Sequence, residues 1–109
     1  MSETIERRLF DLIQLERQTL GDKMLEREVL QLFLQQISDI QTGIAAADDR
    51  VRREMAHALA GSARALGAHA LADAAARIET GRQEAADLEA LIEAARQTRH
   101  LVEMRAASS

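Results

Sequence analysis

Apolar residues recur at steps of three and four almost from end to end of this chain of 109 residues, and no proline interrupts them. That period places side chains on one face of an α-helix, and a chain free of proline loses no helical hydrogen bond to a missing amide. Material for strands is scarce, because aromatic residues make up only 2% of the sequence, with no Tyr or Trp. Hydrophobic residues nevertheless reach 47%. The core therefore falls to Leu, Ile and Ala, and alanine couples the highest helix propensity with close helix approach.

The spacing predicts five helices. The first runs from Thr4 to about Gln18, with Ile5, Leu9, Leu12 and Ile13 on one face and Gly21-Asp22 at its exit. A longer one runs from Lys23 or Met24 to Ala46 on a stripe of Leu30, Phe33, Leu34, Ile37, Ile40 and Ile44. Gly43 offers a competing end, but the continuing Ile44-Ala45-Ala46-Ala47 favours a helix that passes through it. Asp48 or Asp49 then caps a helix to about Leu66, with Gly67 as its stop. Ala68 to Thr80 follows, facing Leu71, Ala74, Ala75 and Ile78 inward, and Gly81 permits the next turn. The last helix runs from Gln83 to about Arg105 on Leu88, Leu91, Ile92, Ala95 and Val102, and Ala106-Ala107-Ser108-Ser109 is expected to fray. Helices this amphipathic, joined by short turns, predict an all-α fold, an antiparallel four-helix bundle with an additional short N-terminal helix. One domain is expected over 1–109, with an ordered core at about 4–105.

Fourteen Lys and Arg against eighteen Asp and Glu leave a net charge of −4, which argues against general binding to nucleic acid or to a membrane surface. The absence of cysteine removes disulfides, thiolate nucleophiles and thiolate metal sites, and fits a reducing compartment. No run of about 18 apolar residues is present, and Arg7 and Arg8 break the early hydrophobic pattern, so a cytoplasmic protein is expected.

One residue stands apart. At about 100° per residue, Val51, Met55, Leu59, Ser62 and Leu66 fall in one narrow sector of the Asp48-capped helix, and His57 falls almost opposite. Arg50, Arg53, Ala60, Gly61 and Arg64 share its side. The spacing thus predicts a solvent-facing imidazole in a positive setting, able to attract a phosphate oxygen or an acidic protein surface. Gly61 costs about 1 kcal/mol relative to alanine in an exposed helix interior, and its missing side chain opens space one turn from the imidazole. From periodicity alone, an ordinary surface histidine among surface arginines remains the competing reading.

The run Ala56-His57-Ala58-Leu59-Ala60-Gly61-Ser62-Ala63-Arg64-Ala65-Leu66-Gly67-Ala68 resembles the signature around the phosphorylated histidine of histidine-containing phosphotransfer domains, H-x-L-x-G-S-A followed by L-G-A. Leu32-Phe33-Leu34, Asp48 and Arg53 upstream, and Leu71 and Ile78-Glu79 downstream, fit further positions of that pattern. The resemblance covers residues 30–79 in detail. It implies that His57 accepts and donates a phosphoryl group through an imidazole nitrogen, Nε2. It further implies that Gly61 gives a receiver domain steric access and that Glu79 orients the other ring nitrogen, directly or through water.

The reaction so implied is reversible transfer between His57 and receiver-domain aspartates, the partners being a response-regulator receiver domain and the receiver domain of a hybrid histidine kinase. Mg²⁺ is expected in the partner receiver, with no metal or cofactor bound by this chain. Arg50 and Ala60 are expected at the partner-binding surface. Ala60 is also the departure from the family, which usually carries Lys there. Arg53 and Arg64 are the cations expected to compensate from the same helix side. The alternative is a nonenzymatic helical adaptor that binds receiver domains without efficient transfer.

Other chemistries lack their parts. There is no G-x-x-x-x-G-K-[ST] loop, so phosphorylation directly from ATP is not expected. Ser62 is predicted on the inner face and His57 on the outer face of one helix, which excludes a serine-hydrolase arrangement. His69 and His100 read as surface histidines, without the companions a zinc site needs.

Overall fold

The computed structural model describes residues 2–108, with side chains from Ile5 onward. Met1 and Ser109, the two ends of the expected domain, lie outside the described residues. Among the described residues six helices follow one another: α1 (Ser2–Leu9), α2 (Leu12–Gln18), α3 (Lys23–Gly43), α4 (Asp49–Leu66), α5 (His69–Thr80) and α6 (Ala85–Ser108). No strand is present among the described residues. α4 packs along α5, α6 lies against both α3 and α5, α2 touches α4, and α1 reaches α5 and α6. Buried residues from Phe10 to Val102 form one connected core.

The N-terminal helix departs from its expected form. It is split at Phe10-Asp11, where the Asp11 amide donates to the Gly67 carbonyl at 2.9 Å instead of continuing the helix. The Asp11 carboxylate then caps α2 by accepting from the amides of Ile13 and Gln14. The split rotates the apolar face: Ile5, Leu12 and Ile13, expected in the core, are exposed, while Phe10 and Leu15 are buried. Gly67 makes this junction possible. Its φ of +91° closes α4 in the left-handed region, and a Cβ there would lie 2.6 Å from the Asp11 carbonyl oxygen.

α3 ends at Gly43 rather than passing through it to Ala46. The guanidinium of Arg52, on α4, donates to the carbonyls of Ile44 and Ala45, satisfying groups that a longer helix would have used. Ile44 still fills the core, so the apolar stripe outlasts the helix that carries it. α6 starts two residues late because Gln83 sits at φ +59°, outside helical space. It also outruns the expected fraying point, continuing to Ser108. Arg105 anchors that last turn through two hydrogen bonds to the buried Glu26 carboxylate, at 2.9 and 3.1 Å, and a third contact to Glu16 at 3.2 Å.

α4 matches its expected bounds, capped by Asp48 accepting from the Val51 amide and closed by Gly67. Its buried face is different. Ala56, Leu59, Ala60, Ala63 and Leu66 are inside, whereas Val51, Met55 and Ser62 are only partly covered. The alanines permit α5 to approach closely, and that contact turns the buried sector toward the His57 side of the helix.

Candidate functional site

His57 projects from the middle of α4 with its side chain 76% exposed. Its Nδ1 lies 2.5 Å from Oε2 of Glu79, a half-buried residue in the last turn of α5. The two helices meet along the alanine face, so a residue 22 positions away reaches the ring directly. A carboxylate on Nδ1 leaves Nε2 as the ring nitrogen without a protein partner among the described residues.

One turn before His57 on the same face, Arg53 donates from Nη1 to the backbone carbonyl of Glu79 at 2.8 Å. That carbonyl belongs to the final turn of α5, where helical carbonyls lack intrahelical donors. Arg53 is therefore committed to α5, in contrast to its expected place at the margin of an open cationic patch. Gln83 braces the same corner, its amide nitrogen donating to the Asp49 carbonyl at 3.2 Å. Nothing in the periodicity signals either bond, because both acceptors are backbone atoms of other segments.

Gly61 lies on the open surface one turn beyond His57. A Cβ built there meets nothing within 4 Å, so no contact inside the chain requires glycine. Arg50 and Arg64 flank His57 seven residues to either side, roughly 10 Å along the axis. Arg50 is exposed and 3.8 Å from Glu54, and the Arg64 side chain is exposed without an ion pair among the described residues.

Ala60 requires a correction. It was expected on the exposed side, at the partner surface, but it is 2% exposed and packed in the core. The 100° projection took Val51, Met55 and Leu59 as the centre of the buried face. The actual centre follows the alanines under α5, which takes Ala60 inward. Ser62 is half-buried at an apolar groove between α3 and α4, lined also by Val29, Leu32, Phe33, Ala65 and Leu66. Leu32 is 73% exposed there, a position the α3 stripe leaves off its core face.

The other histidines lie apart. His69 is half-buried with Nε2 3.9 Å from an Asp11 oxygen, and His100 is exposed on α6. Among the described residues, no group of three or more His, Cys, Asp or Glu side chains is placed to hold a metal ion. Among the same residues, no helix is long and apolar enough to cross a membrane.

Comparison with protein-family models gives a match to the Hpt domain over residues 28–107, most of the chain. The chain belongs to the Hpt domain family. Hpt domains serve histidine phosphotransfer in two-component phosphorelays, where they interact with the receiver domains of response regulators. The match runs from within α3 to the last turn of α6 and so includes His57, Gly61 and Glu79, while α1, α2 and the first turn of α3 precede it. No curated protein and no solved structure matched this Hpt domain.

Proposed function

We propose that this Hpt domain carries a phosphoryl group on Nε2 of His57, reversibly, between receiver-domain aspartates. The observation that supports the reading is the exposed imidazole whose Nδ1 is engaged by Glu79. An ionised carboxylate only accepts hydrogen bonds, so the proton of the shared contact sits on Nδ1 and the Nε2 lone pair points to solvent. In transfer, Nε2 forms its bond to phosphorus in line as the bond to the aspartyl oxygen breaks, and the aspartate leaves as a carboxylate. The ring gains positive charge as the new bond forms, and the Glu79 carboxylate balances it across Nδ1–H. Phosphoryl transfer back to a receiver reverses each step.

The receiver of a response regulator and that of a hybrid histidine kinase are the partners in this reading, and Mg²⁺ belongs to them. Gly61 leaves the approach to His57 unobstructed, and Arg50 and Arg64 supply positive charge on either side of it. The groove beside Leu32 and Ser62 adds apolar surface where α3 meets α4. The bundle in this reading is antiparallel, α3 to α6 alternating in direction across short turns, with α1 and α2 against it, as one domain in the cytoplasm.

Incubation with a panel of phosphorylated receiver domains, supplied with Mg²⁺, tests the proposal. Label is expected to move onto the chain, to be acid-labile, and to be absent from His57→Gln. Receiver binding without label on His57 across the panel would overturn it.

A further inference from the structure

We infer that Arg53 is a positioning residue for His57, acting through the backbone of Glu79 rather than on the phosphoryl group. The inference rests on the reading of His57 as the phosphoryl carrier. It starts from a bracket around one residue: Arg53 holds the Glu79 carbonyl at 2.8 Å, and His57 meets the Glu79 carboxylate at 2.5 Å. Arg53 and His57 are one turn apart on the same face of α4, so both ends of Glu79 are tied to a single rigid surface.

Glu79 is the penultimate residue of α5, and the chain leaves helical geometry within a few residues, at Gly81 and at Gln83 with its φ of +59°. Its carbonyl has no helical donor ahead of it, and last turns left uncapped fray. A guanidinium satisfies that carbonyl, opposes the negative end of the helix dipole, and sets the register of the last turn on α4. A glutamate side chain on a frayed turn would lose its fixed distance to the ring. The tautomer of His57 would then no longer be held, because the Nδ1–H form owes its preference to an acceptor waiting at Nδ1. Arg53 thus bears on which ring nitrogen is free to attack.

The test reads the ring directly, with no phosphoryl donor present. Long-range ¹H–¹⁵N spectra of the imidazole in the intact chain, recorded where His57 is neutral, report which nitrogen carries the proton. The wild-type protein is expected to show Nδ1–H, and Arg53→Met a population shifted toward Nε2–H. Arg53→Lys is expected to restore the wild-type pattern, since an ammonium can also donate to the carbonyl. Arg50→Met removes the same charge from the same face without touching Glu79, and is expected to leave the tautomer alone.

Single-turnover transfer from a phosphorylated receiver should slow by about tenfold in Arg53→Met and recover in Arg53→Lys. An unchanged tautomer in Arg53→Met with slowed transfer would place Arg53 on the phosphoryl group and overturn the inference. An equal shift in Arg50→Met would reduce the effect to charge and also overturn it. Should Arg53→Met not fold, Arg53→Gln, too short to reach the carbonyl, takes its place with the same outcomes. A wild-type chain that shows Nδ1–H but accepts no label would count against phosphotransfer while leaving the positioning role standing.

Discussion

The contact between His57 and Glu79 and the contact between Arg105 and Glu26 both join a carboxylate to a nitrogen base from another helix, yet they differ in solvent. The His57 side chain is 76% exposed and Glu79 33%. Glu26 is 3% exposed, and Arg105, 18% exposed, closes over it with a forked pair of hydrogen bonds. Water screens the first pair, so it contributes little to stability, and it leaves a ring nitrogen open to another molecule. In the second pair the carboxylate is cut off from solvent and taken up by the guanidinium, which makes its burial tolerable. One sits at the meeting of α4 and α5, the other where the start of α3 meets the end of α6. In the proposed function, the Hpt domain thus keeps its phosphoryl carrier at a pair that contributes little to stability.

The strongest attempt to break that contrast is His57→Gln. It is expected to abolish label transfer while leaving helix content and the unfolding midpoint nearly unchanged. A marked loss of stability would mean that the ring is structural after all. Arg105→Met should do the reverse. It strands the buried Glu26 carboxylate and is expected to cost about 3 kcal/mol in urea unfolding, while the folded protein still accepts label on His57. Little change in midpoint would show that water reaches Glu26 readily. The Glu26 hydrogen bond, working against burial, holds Arg105 above the usual arginine range. A cation raised in the folded state loses its stabilising effect only as pH climbs through that raised value, so this pair should not weaken between neutral pH and moderately alkaline pH.

The glycines extend the contrast with smaller effects. Gly61→Ala meets open space in a helix interior and is expected to stabilise the fold by about 1 kcal/mol, and Gly61→Leu should retain helix stability while impairing receiver binding. Gly67→Ala meets the Asp11 backbone at a positive φ and should destabilise by about 1–3 kcal/mol, read from the same denaturant curves. Glu79→Ala is expected to cost less than about 1 kcal/mol while slowing transfer, which separates the contact's chemical role from its structural one.

The smallest effect lies on the surface of α6. The Arg96 hydrogen bond holds Glu93 below the usual carboxylate range. A depressed carboxylate stabilises above its unfolded value and loses that contribution as pH falls through the folded one. Arg96→Ala should return the Glu93 titration, followed by carboxyl ¹³C shifts, to the ordinary range with no measurable change in midpoint.

The caps of α4 were legible in the residues alone. Asp48 and Gly67 bound α4 as their chemistry dictates, because a cap needs only its own few neighbours. The exposure of His57 followed from its phase opposite the sector of Val51, Met55, Leu59, Ser62 and Leu66, although of that sector only Leu59 and Leu66 are fully buried. The inward turn of Ala60 did not, since an alanine is buried or exposed according to what packs on it, and α5 was the deciding neighbour. The resemblance around His57 directed attention to Glu79, but the length and direction of their contact depend on how closely the alanine faces meet. Gly43 was ambiguous for a similar reason, as the donor that ends α3 there, Arg52, comes from the next helix.

Period, caps and the absence of proline made this chain helical, because those signals act within a turn or two of the backbone. The pairing of Arg105 with Glu26, 79 residues apart, the break of the N-terminal helix on the Gly67 carbonyl, and the bracket of Arg53 and His57 around Glu79 came only with packing. Hydrogen bonds and burial between distant segments depend on the angle and separation at which helices meet, and no local pattern of residues encodes those distances.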